Sequence, residues 1–372
     1  MRRSLIALLI LAASATAAAQ GVTDSQVLLG QSVALSGPAE QLGKDMQLGA
    51  SLYFNAVNAH GGVNGRKIVL KTLDDGYDPP RAAANTRKLI GEDKVFALFG
   101  YVGTPTSAAA LPIFTEAKVP FVGAFTGAEV LRNPVNRYIF NVRASYFDET
   151  EAIVQHLTAM SIDKIAIFYQ NDAYGQAGLA GVERALKKRN LQLTAKGTVE
   201  RNTVDVKQAV ATMLKAEPQA IVMISAYTSC AAFIKEMKKA NANPTFWNVS
   251  FVGSKALAKE LGTEGRGVQI SQVMPFPWDS SIAVVKEYRK VIEEAKGQPG
   301  WGTLEGYIAA KVMVEGLRRA GRRLDRENFV RAMETLDAYD AGGFKVSFSA
   351  DSHSGSKFVD LTIISRDQRF VR

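Results

Sequence analysis

A loop reading Gly100-Tyr101-Val102-Gly103-Thr104 follows an apolar run and precedes a helical pattern. The chemistry open to it is anion binding. Its glycines let the backbone approach a ligand closely. Free N–H groups at a helix start, with the Thr104 hydroxyl, suit a carboxylate. A plainer role is equally open, with Thr104 capping the helix and Pro105 as its first residue. A second loop, Ala124-Phe125-Thr126-Gly127, follows the next apolar run and is expected to face the same crevice. It is either a surface turn or a ligand contact through Ala124 and Thr126, with Phe125 as a core anchor. Tyr174 and Tyr227 each stand between a strand pattern and a helix pattern. A tyrosine there offers an apolar face and a hydroxyl. Singly each is a structural tyrosine, but two at equivalent strand ends, with Tyr101 opposite, make a partly aromatic cleft. Ser36 is a turn residue before Gly-Pro or a polar contact. Leu42 alone would belong to the core.

Sets for catalysis are missing from the sequence. There is no Gly-x-Ser-x-Gly elbow, His-Glu-x-x-His pair or phosphate-loop lysine motif. Asp74 and Asp75 are neighbours whose side chains point to opposite faces of a strand end, so they cap a turn rather than share a proton. Cys230 is the only cysteine, which excludes an internal disulfide and a thiolate metal site. His60, His156 and His353 are far apart in sequence. Neither a metal nor a cofactor is expected, and no enzyme activity.

Residues 1–19 read as a cleavable export signal. Arg2 and Arg3 form the positive start, Leu5 to Ala12 an apolar core too short to span a bilayer, and Ala17-Ala18-Ala19 the small residues before a cut at Gln20. Loss of the two arginines takes the formal charge from +9 to +7. Export puts nucleic acid out of reach of this basic chain. Its densest basic run, Arg318, Arg319, Arg322, Arg323 and Arg326, reads as a solvated face around a helix end. The mature chain is long for one core, so two lobes are expected. Short β-rich apolar runs (27–35, 67–73, 95–100, 120–123, 138–142, 164–169, 191–199, 219–224, 245–249 and 267–273) alternate with helical patterns, as in parallel sheets covered by helices. From 341 onward, Phe344, Val346 and Phe348, then 358–364, read as a closing strand pair.

Leu35-Ser36-Gly37-Pro38-Ala39, Gly43, Gly61-Gly62-Val63-Asn64-Gly65-Arg66-Lys67-Ile68, Asp74-Asp75-Gly76-Tyr77-Asp78-Pro79, Pro120-Phe121-Val122 and Asn171-Asp172-Ala173-Tyr174-Gly175 occur in an order and spacing with a counterpart. With them the mature chain resembles a type I periplasmic binding protein, the solute-binding part of an ABC importer, of the branched-chain amino-acid branch. The resemblance implies an α/β fold of two Rossmann-like lobes with parallel sheets, joined by three crossover strands. Lobe 1 would hold 22–143 and 275–340, and lobe 2 would hold 144–274 and 341–372. A small carboxylate or amino-acid-like ligand would be clamped between them and passed to a permease and its ATPase in the inner membrane, by a monomer in the periplasm.

The resemblance also implies roles. The 100–104 loop would hold a carboxylate, with Tyr101, Gly103 and Thr104 as its contributors. Ala124 by a backbone contact and Thr126 by its hydroxyl would meet the carboxylate and ammonium, Leu42 the apolar end, and Tyr174 and Tyr227 would come from lobe 2. Trp301 is a further lobe 1 candidate, while Phe276 and Trp278 read as hinge packing. Amino-acid-binding relatives carry an acid after the strand at 245–249, where it pairs with the ligand ammonium. Here Ser250 stands in that place. A charge-assisted bond of that kind contributes about 1.5–3 kcal/mol, so an acid lacking the amine, or a neutral amide, fits better than a simple α-amino acid. A periplasmic sensor for a signalling partner and a secreted α/β enzyme are the alternatives.

Overall fold

β1 (Gln26–Val33) is buried along nearly its whole length, as a strand covered on both faces must be. The structure is a computed structural model that describes residues 20–372, so the expected export segment lies outside the described residues. A Gly-Pro turn leads from β1 into α1 (Glu40–Ala59), whose buried Leu42, Met46, Tyr53 and Phe54 recur at helical spacing. Then come β2 (Lys67–Asp74), α2 (Pro79–Gly91), β3 (Ala97–Phe99), α3 (Thr104–Glu116), β4 (Phe121–Val122) and β5 (Ile139–Phe140). These strands form one parallel sheet in the order β2-β1-β3-β4-β5.

The second sheet repeats the scheme. It draws on β6 (Ile165–Gln170), β7 (Lys196–Val199), β8 (Ala220–Ile224), β9 (Thr245–Asn248) and β10 (Gln269–Gln272). Its helices are α4 (Tyr146–Ala159), α5 (Ala173–Lys187), α6 (Lys207–Ala216), α7 (Tyr227–Lys239) and α8 (Ser254–Leu261). After β10 the chain returns to the first sheet's helices with α9 (Ala283–Glu294), α10 (Trp301–Ala320) and α11 (Arg326–Glu334). α10 lies along α1 so closely that a Cβ on Gly49 would stand 1.9 Å from the Thr303 carbonyl oxygen, and one on Gly306 2.4 Å from that of Met46. Gly49→Val is therefore expected to lower stability by about 1–3 kcal/mol or more, because neither backbone can give way cheaply. A urea midpoint unchanged from wild type would contradict that packing.

The C-terminal part departs from the expected strand pair. β11 (Tyr339–Asp340) and β12 (Lys345–Val346) make a small hairpin of their own. β13 (Asp360–Ile364) pairs with β10, and β14 (Phe370–Val371) pairs with β13. Both pairings are antiparallel, so the second sheet, ordered β14-β13-β10-β9-β8-β6-β7, is mixed rather than purely parallel. The alternation in 344–348 marked burial under the neighbouring sheet rather than a ladder to 358–364: Phe348 packs edge-on against Phe140. Two of the segments that run between the sheets are bonded side by side. Asn141 donates from its backbone N–H to His353 and accepts from Gly355, and the His353 ring stacks on Phe140 at 4.1 Å.

Candidate functional site

The C-terminal ends of the strands in the two sheets face each other, which is where open parallel sheets bind ligands. β3 ends at the 100–104 loop and β4 at the 124–127 loop. Val102 and Phe125 form a parallel bridge that brings the loops together. Thr104 does not cap α3. Its N-cap is Gly103, at φ +104°, and the Thr104 hydroxyl bonds that of Thr126 at 2.6 Å. The Thr126 hydroxyl also bonds the Tyr146 hydroxyl at 3.3 Å. All three groups are buried. From the other side, α5 presents Tyr174, fully buried, with a hydroxyl that has no hydrogen-bond partner.

Between these sets sits Phe251, in a short turn after β9. Its ring lies 4.6 Å from Tyr174, 5.6 Å from Phe125 and 6.0 Å from Tyr77. Tyr77 belongs to the turn after β2, and Gln170 at the end of β6 donates to its hydroxyl at 3.3 Å. Asn202 likewise donates to the Gly76 carbonyl at 3.1 Å. The halves are thus in direct contact, with one aromatic wedge from lobe 2 gripped by two rings of lobe 1. The space over Gly103 is taken by the Tyr77 ring, which an added Cβ would meet at 2.3 Å. The glycine there makes room for a tyrosine, where the sequence suggested room for a ligand.

Beside the wedge lies a buried charge cluster. Arg143, from the segment after β5, is fully buried with its guanidinium 4.7 Å above the Phe125 ring. It donates to the Ser250 hydroxyl. Glu149 of α4 lies 3.8 Å away and accepts from the Ser250 N–H, the Ser250 hydroxyl and the Ser271 hydroxyl. Glu305 of α10 lies 3.5 Å from Arg143 Nε, too poorly aligned to be a hydrogen bond. Burial opposes the Arg143 charge, and the two carboxylates more than offset it, so its pKa is raised. Burial also raises Glu149, against the pull of Arg143 and the serines. Burial pushes Glu305 up to about 7, with Arg143 pulling the other way. A residual cavity of about 20 Å³ is bordered by Leu42, Phe125, Ser250, Met274, Trp301 and Glu305 among others. That is room for about one water molecule.

The structure gathers most of the expected residues and separates some. Thr104 and Thr126 meet Tyr146, whose ring neighbours Tyr174, while Leu42, Phe125 and Ser250 border the residual cavity together with Trp301. Tyr227 lies farther out, in a surface groove of about 440 Å³ with Gln41, Asp45 and Lys255. The side chains of Tyr101 and Ala124 face away. They join the core packed beneath α2 and α3, where the Tyr101 hydroxyl bonds Thr86 at 3.0 Å and its ring meets Phe121. Ser36 is exposed and donates to Asp74 at 2.6 Å, so it is a turn residue. Asp74 also accepts from the Leu35 and Gly76 N–H groups and from Arg81. Burial acts to raise its pKa, but these bonds hold it down at about 2. Ser250 has its hydroxyl and N–H committed to Glu149 and Arg143. Five residues that now define the site, Tyr77, Tyr146, Arg143, Glu149 and Glu305, were not singled out in the sequence. Phe276 and Trp278 pack with Trp301 and Phe370 in an aromatic cluster beside the cleft. Among the described residues no group of three metal-ligating side chains is found, and no helix is long and apolar enough to cross a membrane.

Known proteins match this chain over most of its length. The model of a family described as periplasmic binding protein matches residues 26–367. A Leu/Ile/Val-binding protein homolog 7 from Brucella abortus is 26% identical, over 91% of this chain and 87% of its own. The crystal structure of a possible leucine/isoleucine/valine-binding protein from Rhodopirellula baltica superposes with a TM-score of 0.90 at 35% identity, covering 94% of this chain and 97% of that one. A substrate-binding periplasmic protein from Ralstonia solanacearum superposes at 0.88 with 31% identity, over 93% and 99%.

Proposed function

The chain belongs to the periplasmic binding protein family, and we propose that it captures a small organic carboxylate or amino-acid-like solute between its lobes and delivers it to an ABC permease. It is a ligand-binding receptor, not an enzyme, and the family implies a periplasmic location. One observation carries the ligand reading: the hydroxyls of Thr104, Thr126 and Tyr146 converge in a buried cleft opposite the unpartnered hydroxyl of Tyr174. Hydroxyl groups arranged in this way can donate to a carboxylate once the cleft opens to admit it.

In this reading the lobes divide at 143/144, 274/275 and 340/341, and the receptor works as a monomer. A cavity of about 20 Å³ is too small for such a solute, so binding requires the lobes to part and Phe251 to shift. The ligand then supplies contacts to both halves and shifts the open–closed equilibrium. Micromolar binding corresponds to about −8 kcal/mol net, within reach of a few polar bonds and one buried apolar group.

Native mass spectrometry of protein purified without added ligand tests the proposal, with a co-purified small acid as the expected result. Thr126→Val is expected to weaken binding of that acid by about 10- to 100-fold, the loss of one hydrogen bond to a charged group. Thr126→Ser should restore most of it. Calorimetry showing equal affinity for all three forms would rule out the hydroxyl cluster as the binding element.

A further inference from the structure

Arg143 carries more donors than its surroundings use. Its Nη2 serves Ser250, while Nε and Nη1 have no acceptor, although the side chain is fully buried. Buried donors left in this state are uncommon and call for an explanation. The Tyr174 hydroxyl is likewise unpartnered, and burial raises its pKa so that it stays a neutral donor. Both side chains border the Phe251 wedge, Arg143 through Phe125 and Tyr174 directly.

The nearest candidate to complete Arg143 is Glu305, yet it makes no hydrogen bond to it and faces the residual cavity. Glu149 is engaged by three donors from Ser250 and Ser271. Ser250, just after β9, has the Arg143 guanidinium bonded to its hydroxyl.

We infer that Arg143, assisted by Tyr174, receives the acid group of the ligand, that Glu305 takes up a proton as this happens, and that the receptor selects small acids without an ammonium group. The inference rests on the receptor reading above and narrows its ligand class. Glu305 is the carboxyl group that faces Arg143 Nε. With Glu149 already beside Arg143, an incoming carboxylate would make three anions around one buried guanidinium, and that crowding is relieved when Glu305 becomes a carboxylic acid. Its burial, which lifts the carboxyl to about 7, makes that proton uptake accessible near neutrality. The other charged groups around Glu305 are Arg143 itself, Glu149 on α4, Arg132 in the turn before β5, and, across the cavity, Asp45 on α1 and Lys255 on α8. Arg132 is committed to backbone carbonyls of Ala128 and Arg143. Asp45 is bonded by Gln41.

Calorimetry of the mature chain with 4-methyl-2-oxopentanoate, benzoate and leucine, at pH 6 and pH 8, tests this. At least one of the two acids is expected to bind, about 10-fold more tightly at pH 6 than at pH 8, as a group titrating at about 7 requires. Leucine is expected not to bind. Proton uptake should appear as a heat that varies with the ionisation enthalpy of the buffer. Glu305→Gln should raise affinity at pH 8 about 10-fold and flatten the pH slope. Arg143→Lys should weaken the acid by more than 10-fold, read alongside its urea midpoint to separate binding from folding. Leucine binding that strengthens with pH and is lost in Glu305→Gln would overturn the inference, giving Glu305 the role of ammonium acceptor. An acid that binds with a flat pH profile in wild type, or none of the three probes binding, would overturn it too. The receptor reading would then stand or fall separately, on whether native mass spectrometry finds a bound solute.

Discussion

Arg143→Met should cost about 3–5 kcal/mol of stability, because it leaves buried carboxylates without their cation. Glu149 and Glu305 are both buried and both face Arg143. The loss should depend on pH. Glu305 is an acid whose pKa is raised by folding, from 4.5 to about 7. Its protonated form favours the folded state, fully so below about 4.5, and that advantage fades as pH rises through about 7. Without Arg143 the charged form is costlier still, so the variant should lose more at pH 8 than at pH 5.5. Urea melts at the two pH values check this, and a loss under about 1 kcal/mol at both would mean that the cluster relaxes or hydrates without its arginine.

Phe251→Ala is the second large effect, at about 3–5 kcal/mol for truncating a buried phenylalanine. Here the loss falls mainly on contact between the lobes, since the ring touches Tyr77 and Phe125 on one side and Tyr174 on the other. The variant should therefore unfold earlier in urea and also show a larger radius of gyration by small-angle scattering. An unchanged radius together with a small change in the midpoint would mean that Phe251 does not hold the halves together.

Much of the architecture was legible because it rests on local patterns. The runs at 27–35 and 219–224 read as strands and lie within the two sheets. The two loops after β3 and β4 were legible as a pair because each follows a short buried strand. The Tyr101 side chain was misplaced by one step of the pleat: its neighbour Val102 faces the main core, so Tyr101 faces the other way. The charge cluster was hidden for a different reason. Glu149 sits in Asp148-Glu149-Thr150-Glu151, which reads as an ordinary acidic helix start on a solvated face. Its partners Ser250 and Ser271 are more than a hundred residues away. Glu305 gave a faint signal, as an acid inside a helix apolar on nearly every side. Arg143 gave another, as a single charge between Val142 and Ala144 where the chain leaves β5.

The bonding of the Asn141 segment to His353 and Gly355 bears on how this protein can be cut for laboratory use. The last twenty residues are a strap between the two sheets and the antiparallel rim of one of them at once. A clone ending before residue 350 would keep most of the ligand-facing side chains. It would also leave the Asn141 segment without its bonded partner, and expose β10 as a bare edge open to self-association.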